Sequence, residues 1–520
     1  MSFPIDDQSA EPDVDDFVDF FCEETAALTE PCEEIKENVA TVNLLHRHVE
    51  DDYAIRAAQI EDQRGLSGAG KCTVKLTIDV GGLSEGIRMA WEIPEVCTIT
   101  LAFKEVDKVA FRRARVRPRI MVYKGYDTDA SVFLAGTALK NMAFNKLEES
   151  YTVEETTLET DPEYFLRLYE FISSHVATLS DFCFICSESL PRPGFLISLC
   201  DKDLCSYQYN ELDMFADSSL VPRISPQVFA FNLFAFLSAI KSDREKETLQ
   251  PRPTIRNRSA FFKDLSKMDD KQNPIIRYDF ENLQDQEQME IAWKALERRL
   301  PCPSQLLSSP ADYGAFRMEY KELARLLEWL IVSNTAYIAH LTEATKIQQF
   351  PTPHQFIFAN DSTTKSNEFL ELVAQHGGKT KLFFHGSPVE NWHSIIRRGL
   401  KCNGARNGPG ISLNERLSDA NKNAIASTVQ REACGGQCCF SSVGYRVVAV
   451  VEVVDTEEAF AHRSNGFAVV NDEKWCTIRM ILVFPSSTDK ETSLKENSDT
   501  VLSEIENIRQ ELFFEDLTSC

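Results

Sequence analysis

The chain has 520 residues, 43% of them hydrophobic, which is enough for two to four domains with substantial cores. Its formal net charge of −25 argues against direct nucleic-acid binding and against an anionic membrane surface. The sequence has no apolar signal segment and no apolar run of about 18 residues, so we predict no membrane span and an intracellular location, cytoplasmic rather than nuclear.

The first 25 residues are rich in Asp and Glu and lack Lys and Arg, and four apolar residues, Phe17, Val18, Phe20 and Phe21, interrupt them. This composition is typical of a solvated acidic tail. A short segment that folds on a partner is the alternative.

A small α+β domain is predicted after a weakly helical region at residues 30–60. Residues alternate between apolar and polar in Thr73–Val80 and Thr98–Phe103, as in half-buried strands, and Arg119–Tyr123 follows as a third strand. The segment faintly resembles ubiquitin-conjugating and related domains but has no catalytic cysteine motif. We interpret it as a binding or structural module, and an adaptor in the ubiquitin pathway is an alternative.

Two cysteine pairs follow a helix that is predicted to open at Asp161-Pro162. Cys183 and Cys186 are separated by two residues, and Cys200 and Cys205 by four. Four thiolates in two pairs suit one structural zinc ion, which prefers tetrahedral sulfur ligands. Ordinary buried thiols are the alternative.

Apolar periodicity predicts further helices and a flexible connection before the last third of the chain. The predicted segments are a helix from Ser225-Pro226 to Ile240, a flexible connection at 242–275, a helical zone at Gln284–Arg299, and a helical region at Tyr313–Leu341 with Leu326, Leu327, Leu330 and Ile331 buried.

The stretch from Lys381 to Leu400 predicts a buried strand, a tight turn and a short amphipathic helix. The apolar run Leu382–Phe384 is typical of a strand, and Gly399 stands where a helix stop is expected. His385 therefore lies at the exit of a strand beside a glycine. Taken alone, this pattern also fits a histidine with a purely structural role.

Several other elements are expected around this stretch. They are strands at Gln355–Phe358, Ile411–Leu413, Tyr445–Val453, Phe467–Val470 and Ile478–Phe484, a polar loop at Asp361–Asn367, a helix at Leu417–Val429, and an amphipathic helix or disorder at Asp489–Phe514.

The order His-Gly-Ser, then SIIRRGL, then GPGISL resembles the NAD-binding half of the poly(ADP-ribose) polymerase family. The resemblance covers about Pro351 to Pro485. Upstream, CFIC, LCDKDLC, LLEWLIVSN and TPHQFIF resemble its mono-ADP-ribosyltransferase subgroup with a cysteine-rich region before the catalytic domain. The resemblance implies a multidomain α+β chain ending in a diphtheria-toxin-like split antiparallel β-fold. It also implies NAD as substrate and a protein as acceptor, with self-modification included.

Six segments are predicted from these observations. They are an acidic tail at 1–40, a small α+β domain at 41–150, a helical cysteine-rich region at 151–245, a helical connection at 246–345, the ADP-ribosyltransferase domain at 346–490, and a C-terminal helix or disordered tail at 491–520.

The resemblance also implies roles for individual residues. His385 would bind the adenine-side ribose, and the backbone of Gly386 would bind the nicotinamide amide. The other residues placed at the NAD site are Ser387, Asn391, Gly410, Ala420 and Asn423.

The catalytic positions are His385, Ser412 and Met480, where the family usually has histidine, tyrosine and, in chain-forming members, glutamate. The usual serine and second tyrosine of the following helix correspond to Ala420 and Asn423. Methionine cannot polarise an acceptor hydroxyl, so mono- rather than poly-ADP-ribosylation is expected. The lost aromatic residues favour the alternative, a degenerate transferase fold that acts as a binding or scaffold protein.

Overall fold

The computed structural model of the chain describes residues 58–62, 71–83, 85–91, 93, 98–107, 119–124, 134–152, 163–190, 193–200, 202, 204–205, 208–209, 224–246, 258–267, 300–301, 303–359, 363–402, 409–426, 440, 444–464, 466–485 and 498–513. The predicted acidic tail, the helix start at Asp161-Pro162 and the helical zone at Gln284–Arg299 lie outside these residues.

The first sheet is an antiparallel meander of four strands in the order β1-β2-β3-β4. Its strands are β1 (Ala58–Asp62), β2 (Lys71–Asp79), β3 (Thr98–Asp107) and β4 (Arg119–Lys124), with helix α1 (Glu85–Ala90) between β2 and β3 in sequence. The three predicted strands are confirmed. The helical expectation up to residue 60 is wrong over β1, because Ile60 pairs with Val74 in the sheet.

The α-helices that follow include α2 (Leu134–Thr152), α3 (Glu163–His175), α4 (Pro226–Lys246), α5 (Arg258–Lys267), α6 (Pro303–Leu306), α7 (Pro310–Glu319) and α8 (Lys321–Val332). The predicted start of α4 is confirmed, because the Ser225 hydroxyl accepts a hydrogen bond from the Val228 backbone N–H at 3.2 Å. The predicted flexible connection at 242–275 is wrong over α5, which buries Phe261, Phe262 and Leu265.

The second sheet has eight strands, all antiparallel to their neighbours, in the order β10-β11-β8-β7-β9-β12-β6-β5. The strands are β5 (Tyr337–His340), β6 (His354–Ala359), β7 (Thr380–Ser387), β8 (Ile411–Asn414), β9 (Tyr445–Val454), β10 (Phe460–Ser464), β11 (Phe467–Val470) and β12 (Cys476–Pro485). Long apolar strands lie at its centre, as the sequence predicts. The expected α+β class is confirmed.

Four helices accompany this sheet: α9 (Thr363–Gln375), α10 (Trp392–Arg398), α11 (Leu417–Asn423) and α12 (Ser498–Phe513). One face of the sheet shares a buried cluster with Trp392 and Ile396 of α10, together with residues of α4. The other face shares a buried cluster with Ala420 of α11 and Val501 of α12. Of the site described below, Gly386 contacts Ala420 on the α11 side.

Two expectations about this region are wrong in part. The helical region expected at Tyr313–Leu341 is confirmed over α7 and α8, including its buried leucines and isoleucine, but is wrong from Tyr337, where strand β5 begins. The polar loop expected at Asp361–Asn367 is helix α9 from Thr363 onward, because Phe369 of that helix packs into the core beside the sheet. No helix in the described part of the chain has the length and hydropathy needed to cross a bilayer.

Candidate functional site

The candidate site lies where the second sheet begins to divide. Strand β7 pairs with β9 along its whole length, from Thr380 to Ser387. On its other side, β7 meets β8 at a single pair in the described residues, Phe384 with Asn414. The two strands therefore separate just where β7 reaches His385 and Gly386.

The His385 side chain connects the two separating strands. Its Nδ1 lies 2.9 Å from the backbone carbonyl oxygen of Ser412 in β8. A carbonyl can only accept, so Nδ1 carries the proton and Nε2 of the neutral ring is left as an acceptor. Burial lowers the pKa of His385, against a smaller opposing effect of the Ser412 carbonyl. The ring is therefore neutral at neutral pH, in one tautomer.

The turn after His385 is fixed by internal hydrogen bonds. Asn391 donates from Nδ2 to the Ser387 hydroxyl at 2.9 Å, and Trp392 donates from Nε1 to the Ser387 carbonyl at 3.2 Å. Helix α10 then ends at Gly399, which has φ +70° and confirms the predicted helix stop. Ser387 and Asn391 thus hold the end of β7 against α10.

Two glycines of the predicted site are required by close packing. A Cβ on Gly386 would lie 1.9 Å from the carbonyl oxygen of Ala420 in α11. Gly410 has φ +135°, and a Cβ there would lie 2.5 Å from Cγ1 of Val469. The glycine at 386 therefore lets α11 approach the end of β7, and the glycine at 410 starts β8. Gly408, also part of the predicted turn, lies outside the described residues.

The structure places the remaining predicted residues at different depths. The carbonyl of Ser412 is bonded to His385, and its buried hydroxyl has no hydrogen-bond partner in the described residues. Asn423 is exposed at the end of α11. Met480 is 0% exposed in β12 and belongs to the same buried cluster as Phe384 and Ala420. His385, Gly386, Ser412 and Ala420 come together, whereas Met480 lies in the core.

Sequence reasoning missed two buried asparagines next to this site, Asn414 in β8 and Asn421 in α11. Each has an amide atom without a hydrogen-bond partner in the described residues. The sequence did contain a signal for them. Both asparagines stand at core-facing positions of their strand or helix, where apolar residues are usual.

The four predicted metal ligands lie together in a second, separate cluster. The sulfur atoms of Cys183, Cys186, Cys200 and Cys205 all lie within 4.8 Å of one another, and those of Cys186 and Cys200 are 3.9 Å apart. A disulfide would need about 2.05 Å, so these thiols are free. Zinc–sulfur bonds of about 2.3 Å in a tetrahedron place sulfur atoms about 3.8 Å apart, close to this spacing.

Helix α2 holds the cysteine cluster in place through side-chain hydrogen bonds. Two asparagines one turn apart on α2 bind the loop between the first two cysteines: Asn141 donates to the Phe184 carbonyl at 2.7 Å, and Asn145 donates to the Ile185 carbonyl at 3.3 Å. Burial, together with the neighbouring thiols, raises the pKa of Cys205. The raised pKa means that burial disfavours the thiolate form. A cation at the centre of the cluster would offset this effect, since it stabilises thiolates.

Comparison with known proteins finds two similar mono-ADP-ribosyltransferases, PARP16 and PARP8. The chain is 30% identical over 171 residues to mouse (Mus musculus) protein mono-ADP-ribosyltransferase PARP16, which covers 30% of this chain and 48% of that protein. It is 23% identical over 350 residues to human (Homo sapiens) protein mono-ADP-ribosyltransferase PARP8, which covers 61% of this chain and 39% of that protein, and the mouse PARP8 matches over the same extent. No family model matches the chain.

These relatives confirm the predicted relationship to the mono-ADP-ribosyltransferase subgroup of the poly(ADP-ribose) polymerase family. The chain spans less than half the length of each of these curated relatives.

Proposed function

We propose that this chain transfers ADP-ribose from NAD to a protein side chain, itself included, and releases nicotinamide. The observation that carries the proposal is the neutral His385, fixed by the Ser412 carbonyl at the opening between β7 and β8. The similarity to the mono-ADP-ribosyltransferases PARP8 and PARP16 supports the same reaction class. The division of the sheet after Phe384 and Asn414 supports a diphtheria-toxin-like split β-fold.

In this proposal, Nε2 of His385 accepts a hydrogen bond from a hydroxyl of the adenine-side ribose. The backbone of Gly386 binds the nicotinamide amide. Ser387 and Asn391 keep that backbone in place through their mutual hydrogen bond. Ala420 packs against Gly386, Gly410 packs against Val469 at the start of β8, and Asn423 lies at the exposed end of α11.

The reaction breaks the bond between the nicotinamide nitrogen and C1′ of the ribose. The electron pair leaves with nicotinamide and neutralises its ring, so no strong acid is needed, and C1′ passes through an oxocarbenium-like state. A lone pair of the acceptor then forms the new bond to C1′, and the acceptor proton passes to solvent. Because Met480 can neither accept a proton nor polarise a sugar hydroxyl, only single ADP-ribose units are added.

The cysteine cluster is proposed to bind one structural zinc ion through Cys183, Cys186, Cys200 and Cys205. The sulfur spacing and the free thiols support this. All four positions are taken by cysteine, so the ion would stabilise the loop and have no part in catalysis.

A degenerate binding or scaffold protein is the second candidate. Ser412 and Asn423 provide no aromatic walls, and the buried Met480 provides no base. This candidate predicts a folded protein without turnover.

The test is incubation of the purified full chain with labelled NAD, followed by denaturing gel electrophoresis. We expect a discrete labelled band that is lost in His385→Ala and retained in the exposed control Lys422→Ala. A blank lane for a folded chain would favour the scaffold. A ladder sensitive to a poly(ADP-ribose)-specific hydrolase would contradict single-unit transfer.

A further inference from the structure

Two buried amides beside the His385 site have atoms without hydrogen-bond partners in the described residues. Asn414 is 6% exposed, and its Nδ2 is unpartnered; Asn421 is 8% exposed, and its Oδ1 is unpartnered. Buried polar groups in folded proteins are nearly always satisfied, so each exception needs a physical reason. A bound ligand is one such reason.

The strand register places Asn414 on the same face of the sheet as Gly386. Asn414 pairs with Phe384, and Gly386 follows Phe384 by two residues. Side chains two residues apart in a strand project to the same face. Ser412 stands two residues before Asn414 and shares that face, and its buried hydroxyl also has no hydrogen-bond partner among the residues that the structure describes.

Helix α11 brings Asn421 to the same place from the other side. The Ala420 carbonyl contacts Gly386 so closely that no Cβ fits between them. Asn421 is the next residue and belongs to the buried side of α11. Asn414 and Asn421 therefore belong to the two elements that border Gly386.

We propose that Asn414 and Asn421 bind the carboxamide of the nicotinamide end of NAD and determine the specificity of the pocket; this rests on the proposed function. A carboxamide carries N–H donors and a carbonyl acceptor. Each asparagine amide also offers both, so the pair is complementary to it whichever way each amide is turned. Hydrogen bonds from these residues replace the aromatic contacts that Ser412 and Asn423 do not provide.

The test compares leucine substitutions, which remove the hydrogen-bonding atoms and keep the branched shape and the heavy-atom count of the side chain. Asn414→Leu and Asn421→Leu are titrated with nicotinamide and with NAD by calorimetry, and their melting temperatures are measured. The matched control is Asn232→Leu in α4, because Asn232 is 3% exposed and also has an unpartnered Oδ1.

We expect each site variant to bind nicotinamide about five- to tenfold more weakly than the wild type, the effect of losing about one hydrogen bond. Its melting temperature should not fall, because an unsatisfied buried group has been removed. The control should keep the wild-type affinity. The wild type should also prefer nicotinamide to 3-acetylpyridine, which lacks the N–H donors, and Asn421→Leu should reduce that preference about fivefold.

Unchanged nicotinamide affinity in folded leucine variants would overturn the inference and leave the proposed function intact. If the wild type binds neither nicotinamide nor NAD, the proposed function itself fails. Should a leucine variant not fold, Asn414→Ala and Asn421→Ala, which need no extra room, give the same comparison.

Discussion

The buried guanidinium of Arg397 in α10 donates to the carbonyl of Leu330, near the end of α8, at 2.5 Å. The same side chain donates to the Ser333 hydroxyl at 3.0 Å and to the His393 carbonyl at 3.2 Å. Burial lowers the pKa of Arg397 to about 9, so it stays charged at neutral pH. The Arg397 guanidinium thus satisfies a carbonyl near the C-terminal end of α8. It also links α8 to α10, the helix that supports the turn after His385.

Replacing Arg397 with Met should destabilise the protein by about 3 kcal/mol, because buried acceptors lose a charged donor. Urea unfolding is the measurement. Lys422→Met on the exposed face of α11 is the control and should change the unfolding free energy by less than about 0.5 kcal/mol. Equal effects of the two substitutions would show that the Arg397 contacts contribute little.

Acid should destabilise the protein partly through His354. Burial, and then the neighbouring His340, lower the pKa of His354 to about 4, whereas the unfolded chain has a histidine pKa of about 6.5. Between these values the unfolded chain binds a proton that the folded chain does not, so the unfolding free energy falls as the pH falls through this window.

His354 packs against Phe440 and Tyr445 at ring-centroid distances of 5.3 and 6.0 Å, so His354→Phe preserves an aromatic ring there. Unfolding free energies measured at several pH values from 7.5 to about 4 should depend less on pH in this variant. The exposed His462 provides the control substitution, His462→Phe. An unchanged pH profile in His354→Phe would assign the acid sensitivity to other groups.

Purified protein should contain about one zinc ion per chain. Cys183→Ser should lose that zinc and lower the melting temperature, because the binding energy of a structural zinc is also folding energy. Elemental analysis and thermal unfolding are the measurements, and Cys402→Ser, a free cysteine outside the cluster, is the control. Zinc-free protein with four freely titratable thiols in the cluster would refute the metal site.

Restoring one aromatic wall should tighten NAD binding. Asn423→Tyr is the suitable change, because Asn423 is exposed and a larger ring fits there without rearrangement of the core. Stacking of about 1 kcal/mol corresponds to an affinity gain of about fivefold by calorimetry. Lys422→Tyr places the same ring one position away on α11 and should have no effect. If both variants bind NAD alike, Asn423 is not beside the nicotinamide.

The roles of individual residues in NAD binding and the predicted domain boundaries remain predictions, since their evidence is a resemblance. The elements themselves followed from local pattern where that pattern was strong. The apolar run before His385 and the helix stop at Gly399 are local signals, and both were predicted correctly. Strand β1 and helices α5 and α9 were missed, because their sequences are polar enough that only packing against neighbours selects their conformation.

The sequence by itself determined which residues are available to the site: a histidine and glycine at a strand end, two spaced cysteine pairs, and methionine in place of a carboxylate. Only the tertiary structure decided which of them meet. The His385–Ser412 hydrogen bond joins residues 27 positions apart. The Gly386–Ala420 contact joins β7 to α11, and the register of β8 pairs Asn414 with Phe384. These contacts depend on the register of β7 and β8 and on the packing of α11. Long-range contacts determine both, and no local sequence pattern does.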